Sequence, residues 1–229
     1  MMSKRILGHE VSPQTVSNSL VSIEAQAREW LTRPLEKKYW ALFVDGTNFR
    51  VRRRGSVAKE PSLVVLGIDE TNRMSLLAIE PGCRDNVESW RGVFAELIKR
   101  GLSTQDVRVG VMDGLPGLER LFAETFPKSV TARCWVHALR NAVGKAPARL
   151  REAFKKAALG VMYAASENAA LVAFDGLKKL MGKDAERAVH CLEKDLSSLL
   201  VHYRFEQSLW RVLKTTNPVE RVNREFKRR

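Results

Sequence analysis

The sequence predicts an α/β fold, a mixed sheet flanked by helices with an all-α block inserted late in the chain. Three observations carry this. Apolar, β-rich runs lie close together between residues 39 and 79, joined by polar links short enough to favour antiparallel hairpins. After residue 86 the hydrophobic period changes, and helical stretches alternate with two more strand-like runs. From Pro147 to Lys214 almost everything reads as helix, rich in Ala, Leu, Lys and Glu and punctuated by Gly160, Gly176 and Gly182.

The elements follow in order. Ser12 suits a helix N-cap and Pro13 the first helical position; apolar residues then recur at Val16, Leu20, Ile23, Ala27 and Leu31, and Pro34 ends the helix that begins near Val11. Tyr39 to Asp45 is aromatic and β-branched and continues past Gly46 towards Val51. Ser62 to Ile68 and Met74 to Ile79 are the second and third strands, with Gly55–Pro61 and Asp69–Arg73 as links. Asn86 to Arg100 places Trp90, Val93, Phe94, Leu97 and Ile98 on one helical face, and Gly101 stops it. Val107 to Met112 is a fourth strand, Leu115 to Phe126 a helix closed by Pro127, and Ser129 to Trp135 a fifth strand leading into a helix from Val136 to Lys145. Asn217 is expected to cap a last basic helix, with Pro218 at its first position. The order β-β-β-α-β-α-β-α, then helices, is that of the ribonuclease H-like fold.

The chain has 229 residues, 45% hydrophobic and 28% charged, enough for one sizeable domain. Its net charge of +13 favours an anionic partner, most simply nucleic acid. No apolar run reaches the roughly 18 residues of a membrane span, and no secretory signal follows Met1-Met2-Ser3-Lys4-Arg5. Three cysteines argue against a disulfide framework, so a reducing cytoplasm is expected.

Two carboxylates stand where strands empty into turns: Asp45 before Gly46, and Asp113 before Gly114. Singly, each is an ordinary turn aspartate. If the first and fourth strands are neighbours, the two emerge at one point and repel unless a cation lies between them; a divalent metal is the usual solution. Glu220, in the first turn of the last helix, is either a third acid or a carboxylate favoured by the helix dipole.

Four segments in this order resemble the Mutator-like family of DDE transposases of insertion sequences: Phe43-Val44-Asp45-Gly46-Thr47, Met112-Asp113-Gly114-Leu115-Pro116-Gly117-Leu118, Cys134-Trp135-Val136-His137-Ala138-Leu139-Arg140-Asn141, and Thr216-Asn217-Pro218-Val219-Glu220-Arg221-Val222-Asn223. The resemblance runs from about Leu35 to the C-terminus. It implies that Asp45, Asp113 and Glu220 are the catalytic, metal-holding acids, that Cys134 and His137 are the C-x-x-H signature near them, and that the helical block is an insertion before the last acid. It implies residues 35–146 as the first part of a ribonuclease H-like core, 147–214 as the insertion and 215–229 as the core helix with the third acid. Family members are longer at both ends, so the chain is expected to be shortened, with residues 1–34 a helical remnant of a DNA-binding region.

The implied reaction is Mg²⁺-dependent cleavage at the ends of an element, with Mn²⁺ as substitute, followed by attack of the freed 3′-hydroxyl on target DNA. The implied partners are double-stranded DNA and, when active, a second copy; the place is the cytoplasm, at the nucleoid. The other reading is an incompetent DNA-binding or assembly remnant. Zinc is not expected, because Cys134 and His137 supply two ligands and His190-Cys191 is poorly placed to supply more. Cys134 reads instead as a buried small residue and His137 as a polar group near the acids. Trp210 is either a core aromatic or a stacking platform for a base. Arg50, Arg52 and Arg54, on one face of a strand, and Arg221, Arg224 and Lys227 are candidate DNA-backbone contacts.

Overall fold

In the computed structural model, which describes residues 12–53 and 56–228, the strand-period runs assemble into one five-stranded sheet of order β3-β2-β1-β4-β5. The strands are β1 (Tyr39–Arg53), β2 (Ser56–Asp69), β3 (Met74–Pro81), β4 (Val109–Met112) and β5 (Val130–Arg133). β1, β2 and β3 pair antiparallel; β4 and β5 add in parallel on the other side of β1, so the sheet is mixed. The first and fourth strands are thus direct neighbours, with Ala41 to Phe43 beside Val109 to Val111.

Helix α1 (Pro13–Thr32) starts as expected: the Ser12 hydroxyl accepts a hydrogen bond from the Thr15 N–H at 3.0 Å. Arg33 leaves the helix in extended backbone, as the residue before Pro34 must. Val11, counted into this helix from the sequence, lies outside the described residues, as do Arg54 and Arg229. α2 (Val87–Lys99) is capped by Asn86, whose side chain accepts from Ser89, and buries Trp90, Val93, Phe94 and Leu97. α3 (Leu118–Thr125) links β4 to β5, and α4 (Trp135–Lys145) follows β5.

Strand alternation sorts the core into two faces. Leu42, Val44, Leu63, Val65 and Leu77 pack with the Trp90, Phe94, Phe122 and Phe126 cluster of α2 and α3. Ala41, Phe43, Val64, Leu66, Val109 and Val111 face the other way, against Val201, Leu213 and Val219. Each fully buried large side chain here contributes about 1.5–3 kcal/mol. A third cluster sits in the helical block: α5 (Arg151–Met162), α6 (Glu167–Met181), α7 (Glu186–Glu193) and α8 (Leu196–Leu199) surround Phe154, Phe174, Leu177 and Leu192, and Trp135 and Ala138 join it to α4. α9 (Gln207–Leu213) and α10 (Asn217–Arg228) return the chain to the sheet, where α10 packs on β1 and β2.

Three expectations are corrected. Most of the Gly55–Pro61 link is strand: β2 begins at Ser56 opposite Arg53, and β1 and β2 form a long antiparallel ribbon. Asp45 is therefore not at a strand end but inside β1, paired with Val64. Asn217 does not cap α10, which already includes it; the Thr216 carbonyl accepts from Glu220 N–H at 3.1 Å, so Thr216 holds the cap position.

Candidate active site

β1 outruns its neighbour. The β1–β4 ladder ends at Phe43 and Val111, and Met112 closes β4. Asp45 lies on β1 just past that point, and Asp113 is the first residue after β4. By alternation Asp45 shares the face of Ala41 and Phe43, the face α10 covers. Two tethers fix α10 there. The Trp135 N–H donates to the Lys214 carbonyl at 2.9 Å, and the buried Cys134 sulfur accepts from Thr216 N–H at 3.3 Å and from its hydroxyl at 3.4 Å. Glu220 follows one turn later.

The consequence is electrostatic. Asp45 is 6% exposed. Burial pushes its carboxyl up to about 7; His137 opposes the shift, and Asp113, Glu220 and Asp85 add to it. The structure therefore brings Asp45, Asp113, Glu220 and His137 into one field. Interaction with the Cys134 sulfur raises the His137 pKa against the effect of burial, and Asp45 and Asp113 raise it further. Burial pushes the Cys134 thiol up, but His137 and Thr216 outweigh it and the net shift is down.

Asp85 is the member that sequence reading missed. Its carboxylate occupies space beside Gly46 that a Cβ would need: an added Cβ would fall 2.5 Å from Asp85 Cγ and Oδ2. Trp90 Nε1–H donates to Asp85 Oδ1 at 2.7 Å. Burial raises the Asp85 pKa, the Trp90 bond opposes, and Asp113 adds. The signal available in the sequence was Gly46, a strand glycine admitting close approach.

The Asp113 turn is held from beneath. Gly114 has φ +90°, and a Cβ there would lie 1.6 Å from Arg133 Nη1. That guanidinium, at the end of β5, pairs through Nε with Asp195 of the helical block at 3.0 Å, and both side chains are nearly buried. Asp113 Oδ1 itself accepts from Leu115 N–H at 3.3 Å.

The basic candidates divide. Arg50 and Lys227 line a groove of about 1120 Å³ that begins at Gly46 and runs along β1 and β2 to Phe226. Lys227 Nζ donates to Thr47 Oγ1 at 3.4 Å, and Phe226 stands edge-on to Phe49. Arg221 and Arg224 are exposed on α10, and Arg221 faces a different groove. Arg54 and the side chain of Arg52 lie outside the described residues. Trp210 is half-buried; its indole N–H donates to the Phe205 carbonyl at 2.9 Å, and Tyr203 packs edge-on at 4.6 Å.

Among the described residues, no three His, Cys, Asp or Glu side chains converge as metal ligands. The chemistry of the donor set nevertheless fits a hard divalent cation: several carboxylates crowd a buried one that a nearby positive charge would relieve. No described helix is long and apolar enough to cross a membrane.

Fold and site together define an α/β protein that gathers carboxylates on the central strand of a mixed sheet and at the end of the strand beside it, and holds the last of them on a returning helix. The chain belongs to the Mutator family of transposases: the family model described as "Transposase, Mutator family" matches residues 2–229. It is similar to the transposase for insertion sequence element IS905 of Lactococcus lactis subsp. lactis (strain IL1403), 29% identical over 225 residues, covering 98% of this chain and 56% of that protein. The transposase for IS6120 of Mycolicibacterium smegmatis is 29% identical over 214 residues, covering 93% and 65%. That for IST2 of Acidithiobacillus ferrooxidans is 31% identical over 158 residues, covering 69% and 53%. The chain thus spans between 53% and 65% of the length of these relatives. Among solved structures it is similar to one described as "Drosophila P element transposase strand transfer complex", at 11% identity and a TM-score of 0.30, covering 93% of this chain and 63% of that one.

Proposed function

We propose that this chain is the DNA-cutting core of an insertion-sequence transposase, ribonuclease H-like in fold, with Asp45, Asp113 and Glu220 as the acids that hold divalent metal. The observation that carries this is Asp45, a buried carboxyl pushed up to about 7 by burial and by three acidic neighbours. A protein keeps such a group against its own stability when a ligand neutralises it, and perturbed carboxyls cluster at functional sites. Membership of the transposase family supports the same reading.

Mg²⁺, or Mn²⁺ in its place, would supply Lewis-acid activation of a phosphodiester and of the attacking water or 3′-hydroxyl. The chain's own residues do the rest. β1 carries Asp45, and the end of β4 starts the turn that carries Asp113. The Cys134–Thr216 and Trp135–Lys214 tethers set the register of Glu220. His137, more basic than usual, stands beside Asp45 and offsets part of the negative charge. Arg50, Lys227, Arg221 and Arg224 supply cations for the DNA backbone. Two DNA ends would be brought together by two copies of the chain.

The test pairs binding with cutting. Mn²⁺ raises the melting temperature of the purified chain and supports nicking of supercoiled DNA, and Asp113→Ala loses both while remaining folded. Nicking retained by Asp113→Ala would refute the assignment; DNA binding with no cutting under any metal would leave a binding remnant instead.

A further inference from the structure

A second groove, of about 930 Å³, lies where the end of α5 meets α9 and the start of α10. Tyr163, Trp210, Arg211, Lys214 and Arg221 line it, and no carboxylate does. Lys214 is the informative residue. It is 8% exposed, and no ion pair reaches it among the described residues. Its nearest compensation is the Tyr163 ring, whose centroid lies 5.2 Å from Nζ. An ammonium that faces a groove without a counterion favours an anion there, and Arg211 and Arg221 line the same groove. Burial lowers the Lys214 pKa accordingly.

Tyr163 differs from its neighbour Trp210. Trp210 is a wall of the groove, its N–H bonded to Phe205 and its ring packed edge-on by Tyr203. Tyr163 is 66% exposed, an aromatic ring available beside an unpaired cation. That combination matches a phosphodiester with an accessible base next to it. A base presents its face only when unstacked, so the fitting ligand is single-stranded.

We propose that this groove binds a single-stranded stretch of DNA, with a phosphate at Lys214 and a base stacked on Tyr163. The inference rests on the DNA-cutting reading and adds to it where an unpaired strand goes. Asn217, Pro218 and Arg221, which line the groove, flank Glu220 on the first turn of α10. A strand held here therefore runs beside the helix that carries the third acid.

The test is fluorescence anisotropy in EDTA, so that no cutting intervenes, with a labelled oligo(dT) and with a blunt duplex. Tyr163→Ala, at an exposed position, weakens oligo(dT) binding roughly tenfold and leaves duplex binding unchanged, and Tyr163→Phe restores it. Lys214→Met also weakens oligo(dT) and lowers the salt dependence by about one phosphate contact. Melting curves confirm that each variant folds. If Tyr163→Ala and Lys214→Met bind oligo(dT) as the unaltered chain does, the groove assignment is overturned while the DNA reading stands. If the unaltered chain binds neither oligo(dT) nor duplex, the DNA reading itself fails, and this one with it.

Discussion

Asp45 shows how one residue sets function against stability. The residues before it on β1, Ala41 to Val44, are apolar and fully buried, yet it is a carboxyl crowded by Asp85, Asp113 and Glu220. Asp45→Asn keeps the shape and removes the charge. The expected result is a metal-free protein that melts a few degrees higher, no longer responds to Mn²⁺ and does not nick DNA. His202 titrates in the opposite sense. It is 1% exposed, and burial, with Lys214 nearby, pushes its pKa down to about 4. Its folded pKa lies below the unfolded value of about 6.5. As pH falls from there towards 4 the unfolded chain takes up the proton first, so acidification costs stability, on the order of 3 kcal/mol in all. Asp45 gains stability over much of the same range, because its folded pKa is raised. The His202 contribution therefore shows as a difference: melting temperature against pH falls less steeply on the acid side in His202→Gln than in the unaltered chain. Equal slopes would show that His202 does not titrate in this way.

At the scale of elements, the tethers of α10 have a measurable role. Thr216→Val removes one donor to the Cys134 sulfur with little change of shape. It is expected to cost about 1 kcal/mol of stability and a larger share of nicking activity. An equal loss in both would mean that the contact only supports the fold. The β4–α3 turn is less forgiving. Gly114→Ala places a Cβ in left-handed backbone and against Arg133, so it is expected to destabilise by more than about 1 kcal/mol, read from urea unfolding. What the sequence revealed of the elements follows their patterning. α2 was legible to within a residue at each end because Asn86 caps it and its apolar face is continuous. The start of β2 was not, because Ser56 to Lys59 are exposed and alternate nothing apolar with polar. Their strand character comes from pairing with β1, which no local pattern encodes. Gly46 signalled a close approach, but that Asp85 makes it was not legible, since only tertiary packing brings the two together.

For the whole molecule, the adjacency of β1 and β4 could be posed from sequence only as a condition, and the sheet order meets it. Along the chain the helical block lies between Asp113 and Glu220, with Arg133–Asp195 joining block to sheet. The net charge of +13 acts at this scale. Duplex binding is expected to weaken at least tenfold between 50 and 200 mM salt, measured by anisotropy without metal. A flat salt response would mean that backbone phosphates are not what the cations meet.

The tethering of Glu220 to α4 also has a consequence for the order of synthesis. A ribosome makes Asp45 and Asp113 early, then roughly a hundred more residues before Glu220, an interval on the order of 5 to 20 seconds. During that time Asp45 is free of one of its negative neighbours, and the part of β1 and β2 that the last helix covers is without it. The nascent chain thus carries an unfinished set of acids, and the third joins the other two only when the last helix reaches β1 and its tethers at Cys134 and Trp135.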